Sequence, residues 1–563
     1  MLMSPETARF AAEHRNEDVR ELALKAKRTD ELDLPMALDQ IAGWQTARTK
    51  LPQWAACEDI IYPPHISMEQ CSSEFTAQYK AEVARRVVQD SECRRCVDNA
   101  NAAAREPGEA AGGNASDDAA DNGVDRVQQE AACPGTMIDL TGGFGVDFSY
   151  IARGFERAIY VERQKHLCEL AEHNMRALGL EHVMIVNDDA ETVLGELATV
   201  ASASAQLAGM IVDVANRRRS PSQPAADSPT AIEDRLCLRS VGSTVVEPSP
   251  RNAVGVSLTA QPSRGGRGSA SILDKTAAAL IFIDPARRDA HGGRTVAIED
   301  CTPNVLALRD RLLAAAPHVM IKLSPMLDWR KAVADFRGAV GEVHIVSTGN
   351  ECKELLLVLN RETNTTVHVC CVNDGDRLDY VIPGDFAVGD AGFESGLSLR
   401  KDFSTPLRSA RNDTGKVAGF ARNDGGKAVS SRSLGRTPLP ETITYLYEPN
   451  ASIMKAGCFA LVEERYGVTQ IGPNSHLFVS GEARPIADFP GRAFAVETVT
   501  GMGKKELKQA LANLAKANIA VRNFPLTAVQ LRKKLRLNDG GDTYLFATTL
   551  AGAKHVILRC RRL

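Results

Sequence analysis

The sequence of 563 residues lacks any run of 18 consecutive apolar residues, so it predicts no membrane-spanning helix. Its first residues, Met1–Thr7, lack a basic segment followed by an apolar one, so we expect no secretory signal peptide. The thirteen cysteines are odd in number and scattered, several of them inside apolar runs. This usage favours reduced thiols and a cytoplasmic location over a disulfide framework.

The sequence also lacks a cluster of metal-ligating residues. Cys93 and Cys96 have the spacing of a metal or redox pair, but no second pair completes a tetrahedral site. We therefore predict no bound metal.

Charge is low overall and unevenly distributed. The total is −4, yet residues 501–563 contain thirteen Lys or Arg against three Asp or Glu, a net charge of +10 that leaves −14 on the remainder. A basic end on an acidic body indicates an anionic partner for that end. The alternative is a solvated charged face.

Polar composition divides the chain into domains and insertions. Residues 1–90 have apolar positions at helical spacing and predict a helical region, with Thr7–Lys27, Leu34–Ala47 and Ser67–Val88 as helices. Three segments are too polar to bury a face and predict disordered insertions at 91–133, about 216–271 and 389–438.

The strongest signal is a glycine-rich turn after a short apolar run. Met137–Leu140 predicts a strand that contains Asp139 near its end, and Thr141, Gly142, Gly143 and Gly145 follow the strand. A turn with so few side chains lets backbone amides and the start of the next helix contact a ligand directly.

A second strand with an acid at its end supports the same interpretation. Ala158–Glu162 follows about twenty residues later, and such a carboxylate can hold the two hydroxyls of a ribose. The pair of motifs predicts a site for a nucleoside-type cofactor.

The strand pattern predicts an α/β fold. Strands are expected at 137–140, 158–162, 183–187, 280–284, 318–323, 342–347 and 354–360, with helices between several of the first five. Only Thr348–Lys353 separates the last two strands, too few residues for a crossover helix, so they should be antiparallel.

Four motifs in this order resemble those of class I S-adenosylmethionine (SAM) methyltransferases. Asp139–Gly145 is similar to the SAM-binding first motif, and Glu162 to the acid that holds the SAM ribose. Asp188 and Asp189 match the third motif, beside the adenine amino group. Asp284–Arg288 matches the fourth motif, beside the methyl group and the substrate.

The rest of the chain resembles a bacterial family with a helical N-terminal region, a class I methyltransferase domain, a ferredoxin-like segment and a THUMP-like C-terminal domain. The similar segments are 69–80, 321–329, 350–355, 447–457 and 518–525. The resemblance implies a Rossmann-like sheet of seven strands in residues 134–375, a ferredoxin-like segment at 441–485 and a basic α+β domain at 488–563. It also implies SAM as cofactor and, since THUMP domains are associated with RNA-modifying enzymes, tRNA or rRNA as partner.

Three residues are candidates for the chemistry at the acceptor. Asp284 ends the fourth strand, where it can accept a hydrogen bond from an amine or hydroxyl, although a turn or cap is the alternative. Arg287 stands where many amino-methylating enzymes have an aromatic residue, and it can pair with phosphate or with nearby acids. Lys322 could lower the pKa of a ribose hydroxyl, whereas a solvated strand-end lysine is the commoner arrangement. Carbon-5 methylation would need a cysteine, for which Cys301 and Cys352 are the nearest candidates.

The segment before the sheet supplies further candidates. In the family pattern it covers the methionine end of SAM, so Gln70 or Ser73 could bond its carboxylate or amine, and Lys80 could reach a carboxylate. The alternative is a helix capped by Ser72 or Ser73.

The C-terminal end predicts two basic helices in a small α+β unit, suited to phosphate contacts without base reading. Its candidate RNA-binding residues are Lys504, Lys505, Arg522, Arg532, Lys533, Lys534 and Arg536. The leading hypothesis is a SAM-dependent RNA methyltransferase. The alternatives are a methyltransferase acting on protein or a small molecule, and a non-catalytic RNA-binding protein that retains the fold.

Overall fold

The computed structural model of the protein describes residues 3–26, 29–103, 133–197, 278–286, 297–384, 438–550 and 552–563. Residues Met1–Gly195 and Ala277–Leu563 form one compact unit. Residues Glu196–Thr276 form a second, of which only 196–197 are described. The predicted insertions at about 216–271 and 389–438 lie outside the described residues, apart from Pro438.

The N-terminal region is helical, as its periodicity predicts. The helices are α1 (Pro5–His14), α2 (Val19–Lys25), α3 (Leu34–Lys50), α4 (Pro52–Ala56), α5 (His65–Gln70) and α6 (Glu74–Ala103). The predicted helix Thr7–Lys27 is two helices, because Asp18 caps a new start by accepting from the N–H groups of Arg20 and Glu21. Asp33 caps α3 in the same way, with Pro35 in its first turn.

Two predicted boundaries around helix α6 differ from the observed ones. The predicted helix Ser67–Val88 is interrupted between α5 and α6, where the Ser73 hydroxyl accepts a hydrogen bond from the Thr76 N–H. The predicted insertion at 91–133 begins within α6, which continues to Ala103, and it ends in the first strand at Cys133. Residues 104–132 lie outside the described residues.

The main sheet has the predicted class I order at its centre. Its strands are β1 (Cys133–Asp139), β2 (Phe155–Val161), β3 (Val183–Val186), β4 (Ala278–Ile283), β5 (His318–Leu323), β6 (Val340–Thr348), β7 (Glu351–Asn360), β8 (Thr366–Asn373) and β9 (Asp376–Pro383). They lie in the order β3-β2-β1-β4-β5-β7-β6-β8-β9. The first five strands are parallel, and β7 is antiparallel to both β5 and β6, which confirms the predicted final pair.

The sheet is larger than the seven strands expected. Strand β8 pairs in parallel with β6, and β9 pairs antiparallel with β8. The turn between them contains Asp374, whose φ of 51° is in the left-handed region, followed by Gly375. An Asp-Gly pair between apolar-alternating segments is typical of a hairpin, so the sequence contained this signal.

Helices cover the sheet and bury its apolar side chains. They are α7 (Val146–Ile151), α8 (Lys165–Ala177), α9 (Val305–Ala315) and α10 (Trp329–Asp335), and residues 190–197 are also helical. The main core joins α6, α7 and α8 to the sheet through buried residues such as Val83, Phe148, Tyr160 and Met320. The N-terminal helices therefore pack directly against the elements that surround the glycine turn.

A second sheet forms the C-terminal part. Its strands are β10 (Tyr445–Pro449), β11 (Thr469–Gln470), β12 (Phe478–Ser480), β13 (Gly491–Gly501), β14 (Asn518–Val521), β15 (Thr543–Thr549) and β16 (His555–Arg562). The order is β11-β12-β10-β13-β16-β15-β14. Its helices are α11 (Ala451–Ala456), α12 (Phe459–Tyr466), α13 (Lys504–Ala510) and α14 (Ala528–Leu535), the last begun by a capping box of Thr527 and Gln530.

Two hydrogen bonds attach α11 to the part of the chain that forms the main sheet. The Ala451 N–H donates to Asn350 Oδ1 (2.9 Å), and Arg330 donates to the Ala456 carbonyl (2.9 Å). Within the described ranges no helix has the length and apolar composition needed to span a membrane.

Candidate active site

The glycine turn follows β1 and is fixed by short backbone contacts. Asp139 Oδ1 accepts a hydrogen bond from the Thr141 N–H (2.8 Å), and the Gly142 N–H donates to the Val161 carbonyl (2.9 Å). Gly143 and Gly145 have φ values of 55° and 78°, which favour glycine. A Cβ at Gly142 would lie 2.1 Å from the ring of Tyr160, so the turn and this ring require glycine there.

The Glu162 carboxylate lies directly beside this turn. Glu162 Oε2 accepts from the Gly143 N–H (3.2 Å), and Oε1 accepts from the Gln164 N–H (2.9 Å). The Asn187 side chain donates to the Glu162 carbonyl (2.9 Å) and fixes the backbone at the end of β2. A carboxylate held by two amides keeps further acceptor capacity, so the geometry fits a ribose diol.

The next two acids differ in their surroundings. Asp189 caps the helical residues 190–197, accepting from the N–H groups of Glu191 (3.0 Å) and Thr192 (2.9 Å). The Thr192 hydroxyl also donates to it and lowers the pKa of Asp189. Asp188 Oδ1 accepts from the Asp189 N–H (2.8 Å). Asp189 thus has a structural function as a cap, and Asp188 is the more available of the two.

Asp284 and Lys322 form an ion pair at the neighbouring strand ends. Lys322 Nζ donates to Asp284 Oδ2 (2.7 Å), and the Asp284 N–H donates to Thr141 Oγ1 (2.6 Å). The Asp284 side chain is 31% exposed, whereas that of Lys322 is 9% exposed. Thr141 therefore connects the glycine turn to the fourth motif. Arg287 lies outside the described residues.

The same lysine belongs to a larger buried network that the sequence reasoning missed. Lys322 Nζ also donates to Asp147 Oδ2 (2.9 Å), and Lys80 Nζ lies 3.2 Å from Asp147 Oδ1. Lys80 is fully buried, donates to Glu354 Oε1 and lies 3.2 Å from the Ser72 hydroxyl. Ser72 in turn donates to Asp147 (2.9 Å). Cations and anions alternate from α6 to the end of β4.

The network fixes the charge of two of its members, Asp147 and Lys322. Burial alone would raise the pKa of Asp147, but Lys322 and Lys80 outweigh it and hold this pKa well below its usual range. Burial alone would lower the pKa of Lys322, but Asp147 and Asp284 outweigh it and raise this pKa well above its usual value. Asp147 is therefore an anion and Lys322 a cation at neutral pH.

The pKa of Asp139 is raised, in contrast to that of Asp147. Its side chain is buried and lies near the anionic Asp147 and Asp284, and burial, above all, raises the pKa of Asp139 to about 8. The Thr141 N–H opposes the shift without cancelling it. Asp139 can thus carry a proton at neutral pH.

Of the N-terminal candidates, Gln70 and Ser73 are not members of this network, whereas Lys80 is. Gln70 is exposed at the end of α5, and Ser73 has the cap position of α6. The ammonium of Lys80 is engaged by protein carboxylates. No group of three or more His, Cys, Asp or Glu in the described part of the chain is arranged to hold a metal ion.

The candidate RNA-binding residues of the C-terminal part divide into two classes. The exposed ones are Lys504 and Lys505 on α13, Lys533 and Lys534 on α14, and Arg536 at its end. The other two pair with acids: Arg532 with Asp539, and Arg522 with the buried Glu448 (2.8 Å), which Arg492 also contacts.

Two family models match the C-terminal part: a ferredoxin-like domain at residues 445–490 and a THUMP domain-like family at residues 491–562. Their boundary falls within one continuous sheet, because β10 pairs with β13 across it. No curated protein matches the sequence.

Solved structures are similar over the whole chain or parts of it. A protein from Porphyromonas gingivalis W83 described as a candidate methyltransferase has a TM-score of 0.61 and 22% identity, with all of both chains covered. A SAM-dependent methyltransferase from Agrobacterium tumefaciens has 15% identity over 41% of this chain and 57% of its own, with a TM-score of 0.22. An rRNA methylase from Streptococcus thermophilus has 8% identity over 41% and 88%, with a TM-score of 0.21. The last two are too distant in structure to support an inference.

The whole-chain likeness establishes the fold, and the family models establish the character of the C-terminal part. The chain therefore combines a class I methyltransferase fold with ferredoxin-like and THUMP-like domains, which is the architecture of the family that its sequence resembles.

Proposed function

We propose that the protein is a SAM-dependent methyltransferase whose substrate is RNA. One observation carries the catalytic part: the glycine turn, Glu162 and the Asp284–Lys322 pair meet at the carboxyl ends of neighbouring parallel strands. Ligands of open α/β sheets bind at this edge.

The residues at this edge fit SAM. A Cβ at Gly143 would find no atom closer than the Thr141 carbonyl oxygen at 3.7 Å, so the turn has an open side next to Glu162. Glu162 would hold the ribose hydroxyls, and Asp188 would meet the adenine. When bound, SAM supplies an electrophilic methyl group on a sulfonium. Methyl transfer then requires mainly that the protein align the acceptor and exclude water.

Different N-terminal residues support this site in different ways. The exposed amide of Gln70 is available to the methionine end of SAM. Ser73 acts through the cap of α6, and Lys80 positions Asp147. Asp284, partly exposed at the end of β4, would accept a proton from the acceptor.

The basic C-terminal surface supports RNA as the substrate. The exposed cations of α13 and α14 can neutralise phosphates, whereas Arg522 and Arg532 are engaged by acids. This surface is defined by Lys504, Lys505, Lys533, Lys534 and Arg536 and is called the basic surface below.

Transfer of labelled methyl groups tests the proposal directly. We expect the labelled methyl group of SAM to enter RNA when the protein is incubated with total RNA from cells that lack this protein. Label in protein or small molecules instead of RNA would favour a different substrate. Binding of RNA with no methyl transfer to any substrate would favour a non-catalytic RNA-binding protein.

A charge-reversal variant tests the basic surface. Removing residues 490–563 would remove β13, one of the two strands that pair with β10, so Lys533→Glu with Lys534→Glu is the cleaner change. Loss of two phosphate contacts should reduce the salt slope of RNA binding by about 1.4–1.8 units. Lys25→Glu with Arg9→Glu, two exposed cations on α2 and α1, is the matched control and should leave the slope unchanged. Equal slopes in all three proteins would contradict an RNA contact at this surface.

A further inference from the structure

The ammonium of Lys322 is held beside the partly exposed carboxylate of Asp284 at the end of β4. It donates to Asp147 Oδ2 (2.9 Å) and to Asp284 Oδ2 (2.7 Å). An ammonium has three N–H donors, so one remains without a protein partner among the described side chains. Asp284 keeps its other oxygen, Oδ1, for the acceptor. An acceptor group at Asp284 would therefore meet both a carboxylate and a fixed cation.

The sign of the charge that develops during transfer distinguishes the acceptors. An amine nitrogen gains positive charge as it takes the methyl group, and a fixed cation opposes that change. A hydroxyl oxygen must lose its proton and gains negative charge first, which a neighbouring ammonium stabilises. Because Lys322 lies between the carboxylates of Asp147 and Asp284, which favour its charged form, the electrostatics of the site favour a hydroxyl.

The candidate residues for the other acceptor classes do not meet the requirements of those classes in the described part of this site. Carbon methylation of a pyrimidine needs a thiolate nucleophile. Cys301 is buried, and burial raises the pKa of Cys352, so neither is an accessible thiolate. Many amino-methylating enzymes stack a flipped base on an aromatic ring at the position of Arg287, and this sequence has an arginine there, after Pro285 and Ala286.

We infer that the acceptor is a ribose 2′-hydroxyl of RNA, with Asp284 as its proton acceptor and Lys322 as the cation that stabilises the developing alkoxide. This inference rests on the proposed function and specifies its target atom. The hydroxyl proton moves to Asp284 Oδ1, and the oxygen forms a bond to the methyl carbon. The carbon–sulfur bond breaks with its electron pair going to sulfur, which becomes a neutral thioether. Asp284 then returns the proton to water.

Lys80 and Glu354 are positioning residues in this account. The pairing of Leu323 with Leu355 places Glu354 just beyond the end of β5. There Glu354 holds Lys80, which contacts Asp147, which in turn holds Lys322. Removing Lys80 should therefore act through the orientation of Lys322 and not through contact with the substrate.

Alkaline hydrolysis of labelled RNA tests the inference on the wild-type protein. Strong base cleaves RNA through the 2′-hydroxyl, so a 2′-O-methylated nucleotide survives in an alkali-resistant dinucleotide. We expect the label in such dinucleotides. Label in mononucleotides would show base methylation, which retains the proposed function and overturns the inference. Absence of label from all RNA would overturn both.

Variants test the two roles separately. Asp284→Asn and Lys322→Met should each lower kcat by roughly 10²- to 10⁴-fold, the range for acid–base groups, with SAM affinity within a factor of about three. Lys331→Met, at an exposed lysine on α10, is the control and should retain full activity. Activity of Asp284→Asn equal to that of Lys331→Met would overturn the assignment. Because Asp284→Asn preserves shape, this comparison remains decisive if Lys322→Met fails to fold.

Discussion

Lys80→Met is the sharpest structural perturbation that the buried network offers. The side chain of Lys80 is fully buried, and its ammonium contacts Glu354, Asp147 and Ser72. Methionine has a similar length, so the change removes the charge and leaves no large cavity. Glu354, with a side chain only 3% exposed, loses its direct cation. Breaking a buried pair on one side typically costs about 3–5 kcal/mol of unfolding free energy.

Urea unfolding followed by tryptophan fluorescence is a suitable assay. All three tryptophans, Trp44, Trp54 and Trp329, lie in the N-terminal helices or beside the main sheet, so the signal reports on this part of the chain. The control Lys331→Met removes an exposed ion pair and should cost about 0.2–1 kcal/mol.

A double-mutant cycle with Glu354→Leu isolates the interaction. The Lys80–Glu354 pair is in direct contact, so the two changes should be coupled by about 0.5–3 kcal/mol, with the double variant less destabilised than the sum of the singles. A Lys80→Met cost equal to that of Lys331→Met, with no coupling to Glu354, would refute the reasoning.

Three further predictions concern single positions. Gly142→Ala should cost about 1–3 kcal/mol of stability, because the added methyl group overpacks against the Tyr160 ring, and it should weaken SAM binding more than tenfold. Gly375→Ala, with open space around it, should leave both the stability measured by urea unfolding and the SAM affinity measured by calorimetry unchanged. Burial raises the folded-state pKa of Asp139 to about 8, so the protein loses stability as the pH rises from about 4 to 8, at up to about 1.4 kcal/mol per pH unit. The variant Asp139→Asn does not titrate, so its stability relative to wild type should rise progressively across that range. Parallel pH profiles of unfolding free energy for the two proteins would contradict this prediction. Glu448→Gln should cost about 1–3 kcal/mol because it weakens charge-assisted bonds to two arginines, and an unchanged urea midpoint would contradict this.

Local sequence signals predicted the fold well. Strand β5 was predicted with its observed bounds, because a mostly apolar segment, His318–Leu323, lies between a helix and a Ser-Pro turn. The short connection Thr348–Lys353 predicted the antiparallel pair, since chain length alone excludes a crossover. The added strands β8 and β9 were missed although the hairpin signal at Asp374 and Gly375 was present in the sequence.

Contacts between distant positions account for what the sequence could not reveal. Asp147 meets Lys322 across 175 residues, and Lys80 meets Glu354 across 274. No periodicity encodes such pairs, because they depend on how α6 crosses the sheet. The shared C-terminal sheet was missed for the same reason: composition separates two segments, whereas the pairing of β10 with β13 joins them.

Titration calorimetry of the wild-type protein with SAM and with S-adenosylhomocysteine measures binding at the glycine turn without any need for the RNA substrate. We expect one saturable site per chain for each ligand, with the heat of binding lost or strongly weakened in Gly142→Ala and retained in Gly375→Ala. Absence of binding by the folded wild-type protein, or equal binding by both glycine variants, would contradict the claim that the glycine turn beside Glu162 holds the adenosyl group.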